Sequence, residues 1–255
     1  MSSNTWTPGA LRSRAGALRL RGWRVVEAQS KISTMKLTDT LEEQAALEKL
    51  IDEIKPRVPE ECRHLGYLLL TPFRYAPYPY DSRFRRAESS EGVFYCAEFV
   101  DTAIAEAAFH RLLFFAESPA TPWPANPAEH TAFATEIATL LALDLMRPPF
   151  VRDRSAWTHL VNYSACLDLA DVARSTEIEA IRYESARDPR ARANVALLTC
   201  RGFAAHDVVD RQTWHLHVGS SGIRAVCENP AVSLPFDRKA FAADPRIAPM
   251  QWDRG

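Results

Sequence analysis

The stretch EAIRYESARDPRARANVALLTC, residues 179–200, decides how the chain is read. EAIRYES and NVALLTC have the length and apolar content of strands, and ARDPRARA between them reads as a turn. Outward from this pair the pattern keeps changing period. ACLDLADVARS, residues 165–175, reads as a helix, and TWHLHVGSSGIRAVCE, residues 213–228, reads as a hairpin that bends at Gly219–Gly222. Strands and helices interleave without a clean βαβ series, so the fold class is α+β.

Further upstream, GVFYCA (92–97) is a short strand, and a helix follows it from an Asp101 N-cap to about Phe115. Between that helix and the next element lies the Pro-rich PATPWPANPAE. HTAFATEIATLLALDLM, residues 130–146, suits either a helix or two strands, because Phe133, Ile137 and Leu141 do not separate the two. LGYLLLTPF (65–73) suits a buried strand ended by Pro72, and Pro77 and Pro79 keep APYPYDS irregular. TDTLEEQAALEKLIDEIKPRVP is a helix: Thr40 and Glu43 form a capping box, Leu47, Leu50, Ile51 and Ile54 share a face, and Pro56 ends it. Residues 1 to about 30 read as irregular. Arg12, Arg14, Arg19, Arg21 and Arg24 precede the first acid, Glu27, which gives a basic N-terminal extension over residues 1–22. Residues 23–255 are expected to form one domain.

The totals narrow the chemistry. With 255 residues the chain can bury a core without staples. A net charge of -1 creates no global field toward nucleic acid or membrane, and no apolar run approaches a membrane span. Five scattered cysteines without a CxxC pair predict reduced thiols and a cytoplasmic setting. Neither GxSxG, GxGxxG nor GxxxxGK occurs, so the common hydrolase elbow and phosphate loops are missing. Glu106 with His110, and His215 with His217, each offer two metal ligands but no third, so no metal is expected. PFRYAPYPYDSRFRR mixes basic and aromatic side chains, and is read on its own as a solvated basic loop.

Three segments carry a resemblance: LGYLLLTPFRY, then SRFRR with GVFYCAEFVDTAIAEAAFHR, then IEAIRYESARDPRARANVALL. In this order they resemble the RES family of toxins from bacterial toxin–antitoxin pairs, over residues from about 22 to about 204. The resemblance implies an ADP-ribosyltransferase-like fold, a split and mostly antiparallel β-sheet with flanking helices around a cleft for NAD, which is consumed as co-substrate. It implies an Xre-type helix-turn-helix antitoxin as partner. By position, Arg74, Tyr75, Arg83, Tyr95, Glu106, Ser185 and Asn194 match the family's site residues. Asp81 and Arg85 stand where the family has glycines, and Cys166 stands where a glutamine is often found.

Their chemistry suits NAD. Arginine forks suit a pyrophosphate, which assigns Arg74 and Arg83 to it with Arg85 as helper. Tyr95 offers a face to the nicotinamide, Ser185 a hydroxyl to a phosphate or ribose oxygen, and Glu106 a carboxylate to the oxocarbenium-like sugar. The expected activity is cleavage of the nicotinamide–ribose bond with transfer of ADP-ribose, leaning to a protein acceptor. The alternatives are phosphorolysis or hydrolysis of NAD and, from another class, a non-catalytic nucleotide-binding module that docks the antitoxin.

Overall fold

The computed structural model describes residues 6–28, 37–54, 56–74 and 77–254. Its centre is an eight-stranded sheet in the order β1-β2-β5-β4-β3-β6-β7-β8. The strands are β1 (Gly16–Glu27), β2 (Phe94–Ala97), β3 (Ala128–Asp144), β4 (Ala180–Glu184), β5 (Ala193–Leu197), β6 (Asp210–Gly219), β7 (Gly222–Cys227) and β8 (Val232–Asp237). All pairings are antiparallel except β3–β4.

The long strand β3 splits the sheet. One edge pairs with β1 from His130 to Ala142. The other edge pairs with β6 over Ala128–Ala134 and with β4 over Ala142–Asp144. Strands β4, β5 and β2 then lead back to β1, where a single register pair, Trp23↔Ala97, closes the ring. Strands β1 and β2 therefore diverge on either side of that pair. Arg24 Nη1 donates to the Tyr95 carbonyl at 3.0 Å, serving a β2 acceptor with a side chain.

Several expectations change here. Most of the 130–146 run lies in one 17-residue strand, Ala128–Asp144, whose middle is buried on both faces, so its period is masked. The described part of the basic extension holds regular structure: α1 spans Pro8–Arg12, and β1 follows with Leu18 and Leu20 half-buried while Arg19 and Arg21 are exposed. Arginine count concealed that alternation. LGYLLLTPF is not a strand. It forms α3 (Tyr67–Leu70) and a 3₁₀ turn over Thr71–Phe73, with Leu65, Leu69 and Phe73 inward at helical spacing. Phe99, not Asp101, is the N-cap of α4 (Val100–Glu117); the Asp101 carboxylate pairs with Arg190 and Arg192 instead. Cys62 and Cys200 form a disulfide across 138 positions, which a reading of spacings does not reveal, while Cys96, Cys166 and Cys227 are buried free thiols.

Other elements fall where the pattern put them. Helix α2 covers Leu41–Ile54, and the Glu43 N–H donates to Thr40 Oγ1 at 3.1 Å. After the one-turn α5 (Arg154–Trp157), α6 covers Ser164–Ser175, and β4 and β5 are the antiparallel pair of the 179–200 stretch.

Two of these packings hold the site. Helix α4 lies against β1, β2, β7 and β8, in a core where Phe109, Trp214, Phe236 and Phe241 are buried together. The chain after β8 folds back over that helix: Phe241, Ile247 and Met250 are buried, and Arg254 donates to the carbonyls of Phe115, Ser118 and Thr121 at its C-terminal end. Gly92, ahead of β2, lies against the 3₁₀ turn so closely that a Cβ would sit 2.2 Å from the Pro72 carbonyl oxygen and 2.6 Å from Phe73 Cα. Both obstacles are backbone. Gly92→Ala is expected to lower unfolding free energy by about 2–3 kcal/mol, read as a shift of the denaturant midpoint; an unmoved midpoint would mean that the 71–73 turn yields freely.

Candidate functional site

Where β1 and β2 diverge, a cavity of about 620 Å³ opens between them and α4. That volume lies within the range of small-molecule sites. One stripe of α4, at Ala103, Glu106, Ala107, His110 and Phe114, forms a wall at helical spacing.

Glu106 is held by one oxygen. Its Oε1 accepts from Ser185 Oγ at 2.6 Å and from Asn194 Nδ2 at 2.7 Å. Ser185 follows the end of β4 and Asn194 lies within β5, so the turn of the 179–200 hairpin brings both donors under α4. Ser185 Oγ also accepts the N–H groups of Arg187 and Asp188. Its single proton is thus committed to Glu106, and Ser185 is buried behind the cavity wall. The hydroxyl expected to meet a phosphate or ribose oxygen thus donates to Glu106 in this structure. Glu106 Oε2 has no hydrogen-bond partner among the described residues.

Arg83 also lines the cavity, half-buried. Nη1 donates to the Trp157 carbonyl at 2.6 Å, and the guanidinium lies 4.7 Å from the Tyr163 ring centroid. No carboxylate lies within ion-pair distance of it among the described residues. Burial opposes its charge, yet Cys166, Tyr183, Tyr163 and Glu106 together raise its pKa above the ordinary arginine value. Cys166, the departure from the family's glutamine, packs below Arg83 as a thiol whose pKa burial pushes up. The Tyr95 ring lines the cavity, and its hydroxyl meets Ser82 Oγ at 2.9 Å and accepts the Phe84 N–H at 2.9 Å. Tyr95 therefore pins the loop that presents Arg83. Burial raises its pKa, so it is a neutral phenol.

The loop does without the family's glycines. Neither Asp81 nor Arg85 has a positive φ, and Asp81 Oδ1 accepts the Ala87 N–H at 2.7 Å. Arg85 faces an adjoining depression of about 480 Å³ instead of the main cavity. Arg74 is not brought to the cavity either: its Nε donates to the Pro56 carbonyl at 2.8 Å. Tyr75 lies outside the described residues.

Sequence reasoning missed a second basic group. Arg187 and Arg246 line the cavity and share one buried carboxylate, Asp244, at 2.8 Å each. The Arg187 guanidinium lies 3.7 Å from the Phe109 ring centroid. His110, one turn beyond Glu106, lines the cavity and is exposed. Desolvation lowers its pKa, Glu106 opposes that, and Arg187 and Arg246 reinforce the lowering. ARDPRARA reads as a turn, and its arginine at 187 gives no local signal of burial.

Asp244 has a pKa below the usual carboxylate range: burial pushes it up, but hydrogen bonds from Arg246 and the Arg187 charge outweigh this. The stability it contributes is therefore complete above its unfolded pKa, near 3.9, and is lost as pH falls through the lower folded value. Asp244→Asn should be less stable than the wild type at pH 7. In denaturant titrations that difference should shrink below roughly pH 4; a difference independent of pH would remove Asp244 from the acid response.

A comparison with the curated proteins yields no match. Among solved structures, the M. tuberculosis MbcT–MbcA toxin–antitoxin complex contains a chain that aligns with a TM-score of 0.46 and 12% identity, over 82% of this chain and 91% of that one. The RES domain family matches residues 57–219, more than half of the sequence and including the whole 179–200 stretch. On that match, the chain belongs to the RES domain family.

Proposed function

We propose that this chain is the toxin of a toxin–antitoxin pair and cleaves the bond between nicotinamide and ribose in NAD. The observation that carries the reading is the half-held carboxylate. Glu106 has one oxygen fixed by Ser185 and Asn194 and the other without a partner, in a cavity that also holds Arg83 without a carboxylate partner. Family membership and this geometry both favour a substrate with an anionic bridge and a sugar that becomes cationic in the transition state.

In this reading Arg83 binds the pyrophosphate through charge-assisted hydrogen bonds. Glu106 Oε2 faces the ribose. As the C1′–N bond breaks, the bonding electron pair leaves with nicotinamide, which departs neutral, and positive charge grows on the sugar. A fixed carboxylate stabilises that charge without having to reorganise. Tyr95 acts through the loop it pins, and Trp23 and Phe109 supply apolar wall for the rings. Arg74 takes no part in this step. The acceptor oxygen then bonds to C1′, and where that oxygen is a hydroxyl its proton passes to Glu106 Oε2. The reading leans to a protein side chain as acceptor, with inorganic phosphate as the alternative, and to an Xre-type antitoxin as the partner that blocks the cavity.

Incubating the purified chain with labelled NAD and cell lysate tests this. Nicotinamide release with label on a polypeptide supports transfer, while a phosphate-dependent ADP-ribose-1″-phosphate product supports phosphorolysis. Glu106→Gln should lower kcat by about 10²- to 10³-fold with NAD affinity changed only a few-fold. Release of nicotinamide at the wild-type rate by that variant would overturn the assignment.

A further inference from the structure

The chain places a cation in the cavity wall from a segment beyond the family-matched residues. Arg246 follows β8 by several residues, and Arg187 reaches the same spot from the 179–200 hairpin. Asp244 Oδ2 lies 2.8 Å from both guanidinium groups. The Asp244 side chain is 1% exposed, that of Arg187 5% and that of Arg246 33%. Both arginines also donate to the Leu160 carbonyl, at 2.7 Å from Arg187 and 3.3 Å from Arg246.

Within this cluster two guanidinium groups share one carboxylate, Glu106 also acts on Arg187, and the more open of the two arginines, Arg246, lines the cavity. Nearby, Arg83 stacks on Tyr163, whose phenol is in electrostatic contact with Arg246. Arg246 shares its carboxylate with the more deeply buried Arg187, so an anionic ligand group supplies a second counter-charge on the open side of Arg246.

We propose that Arg246 is a substrate-binding residue that meets a phosphate of the ligand, and that Asp244 with Arg187 is the buried brace that aims it. The proposal rests on the NAD reading above and deepens it. Arg83 and Arg246, both in contact with Tyr163, then form a two-point clamp on the pyrophosphate, while Glu106 faces the ribose. The half of the clamp at Arg246 comes from the same folded-back segment that caps α4, so the segment that seals the core also completes the binding wall.

Arg246→Gln tests this, because Asp244 keeps Arg187 as partner in the variant and the fold keeps its buried brace. Calorimetric titration with NAD should show binding weakened on the order of ten- to a hundredfold. Inorganic pyrophosphate should weaken in parallel, while adenosine, which lacks the phosphates, should show no difference between variant and wild type. A folded variant that binds NAD as the wild type does overturns the proposal. If the variant does not fold, the wild type decides: NAD should protect Arg246 from phenylglyoxal, read by peptide mass spectrometry, and no protection overturns the proposal. Wild-type protein that binds pyrophosphate, with Arg246→Gln weakening it, but does not bind NAD would sink the NAD reading and leave the anion site standing. Wild-type protein that binds neither sinks both.

Discussion

One carboxylate oxygen organises the site. Glu106 Oε1 accepts hydrogen bonds from Ser185 Oγ and Asn194 Nδ2, one just beyond the end of β4 and the other on its antiparallel partner β5. Two donors on one oxygen fix the side chain's rotation and leave the second oxygen directed elsewhere. Ser185 in turn accepts two backbone N–H groups of the turn. The hairpin conformation and the carboxylate orientation therefore depend on each other: lose the serine oxygen and two buried N–H groups lose their acceptor, at a cost of about 1–3 kcal/mol for each group.

The sheet supplies the space for that carboxylate. Because β1 meets β2 at one register pair, a ring of strands that could close fully stays open along one side. The Arg24 side chain replaces one missing ladder bond, and Tyr95 pins the adjacent loop. Opening the sheet would expose unpaired backbone groups, and side chains with fixed donors satisfy part of that need. The same side chains then line the cavity, so the repair of the sheet and the construction of the site use common residues.

Much of this was present in local pattern. The helix from 100 to 117 and the strand ahead of it follow from period and from GVFYCA, and the 213–228 hairpin follows from its glycines. Glu106, Ser185 and Asn194 were found through resemblance, and they meet within hydrogen-bond distance. Ser185 nonetheless has its proton committed to Glu106, which residue type alone does not reveal. The 130–146 run resisted reading because a strand buried on both faces shows no alternation. The strand in the basic extension was hidden for the opposite reason: its exposed arginines dominated the composition while Leu18 and Leu20 held the inner face.

The sequence by itself determined the α+β class, the places of α2, α4 and α6, and the kinds of group available to the site, because each is written in residue type and short-range period. Tertiary structure alone decided that Cys62 meets Cys200, that Arg74 stays outside the cavity, and that Asp244 and Arg246 join Arg187 at its wall. Those pairings join positions tens of residues or more from one another, or depend on where a folded-back tail comes to rest. No local period encodes such a meeting; it is fixed only when the whole chain packs and each buried charge or thiol finds what lies beside it.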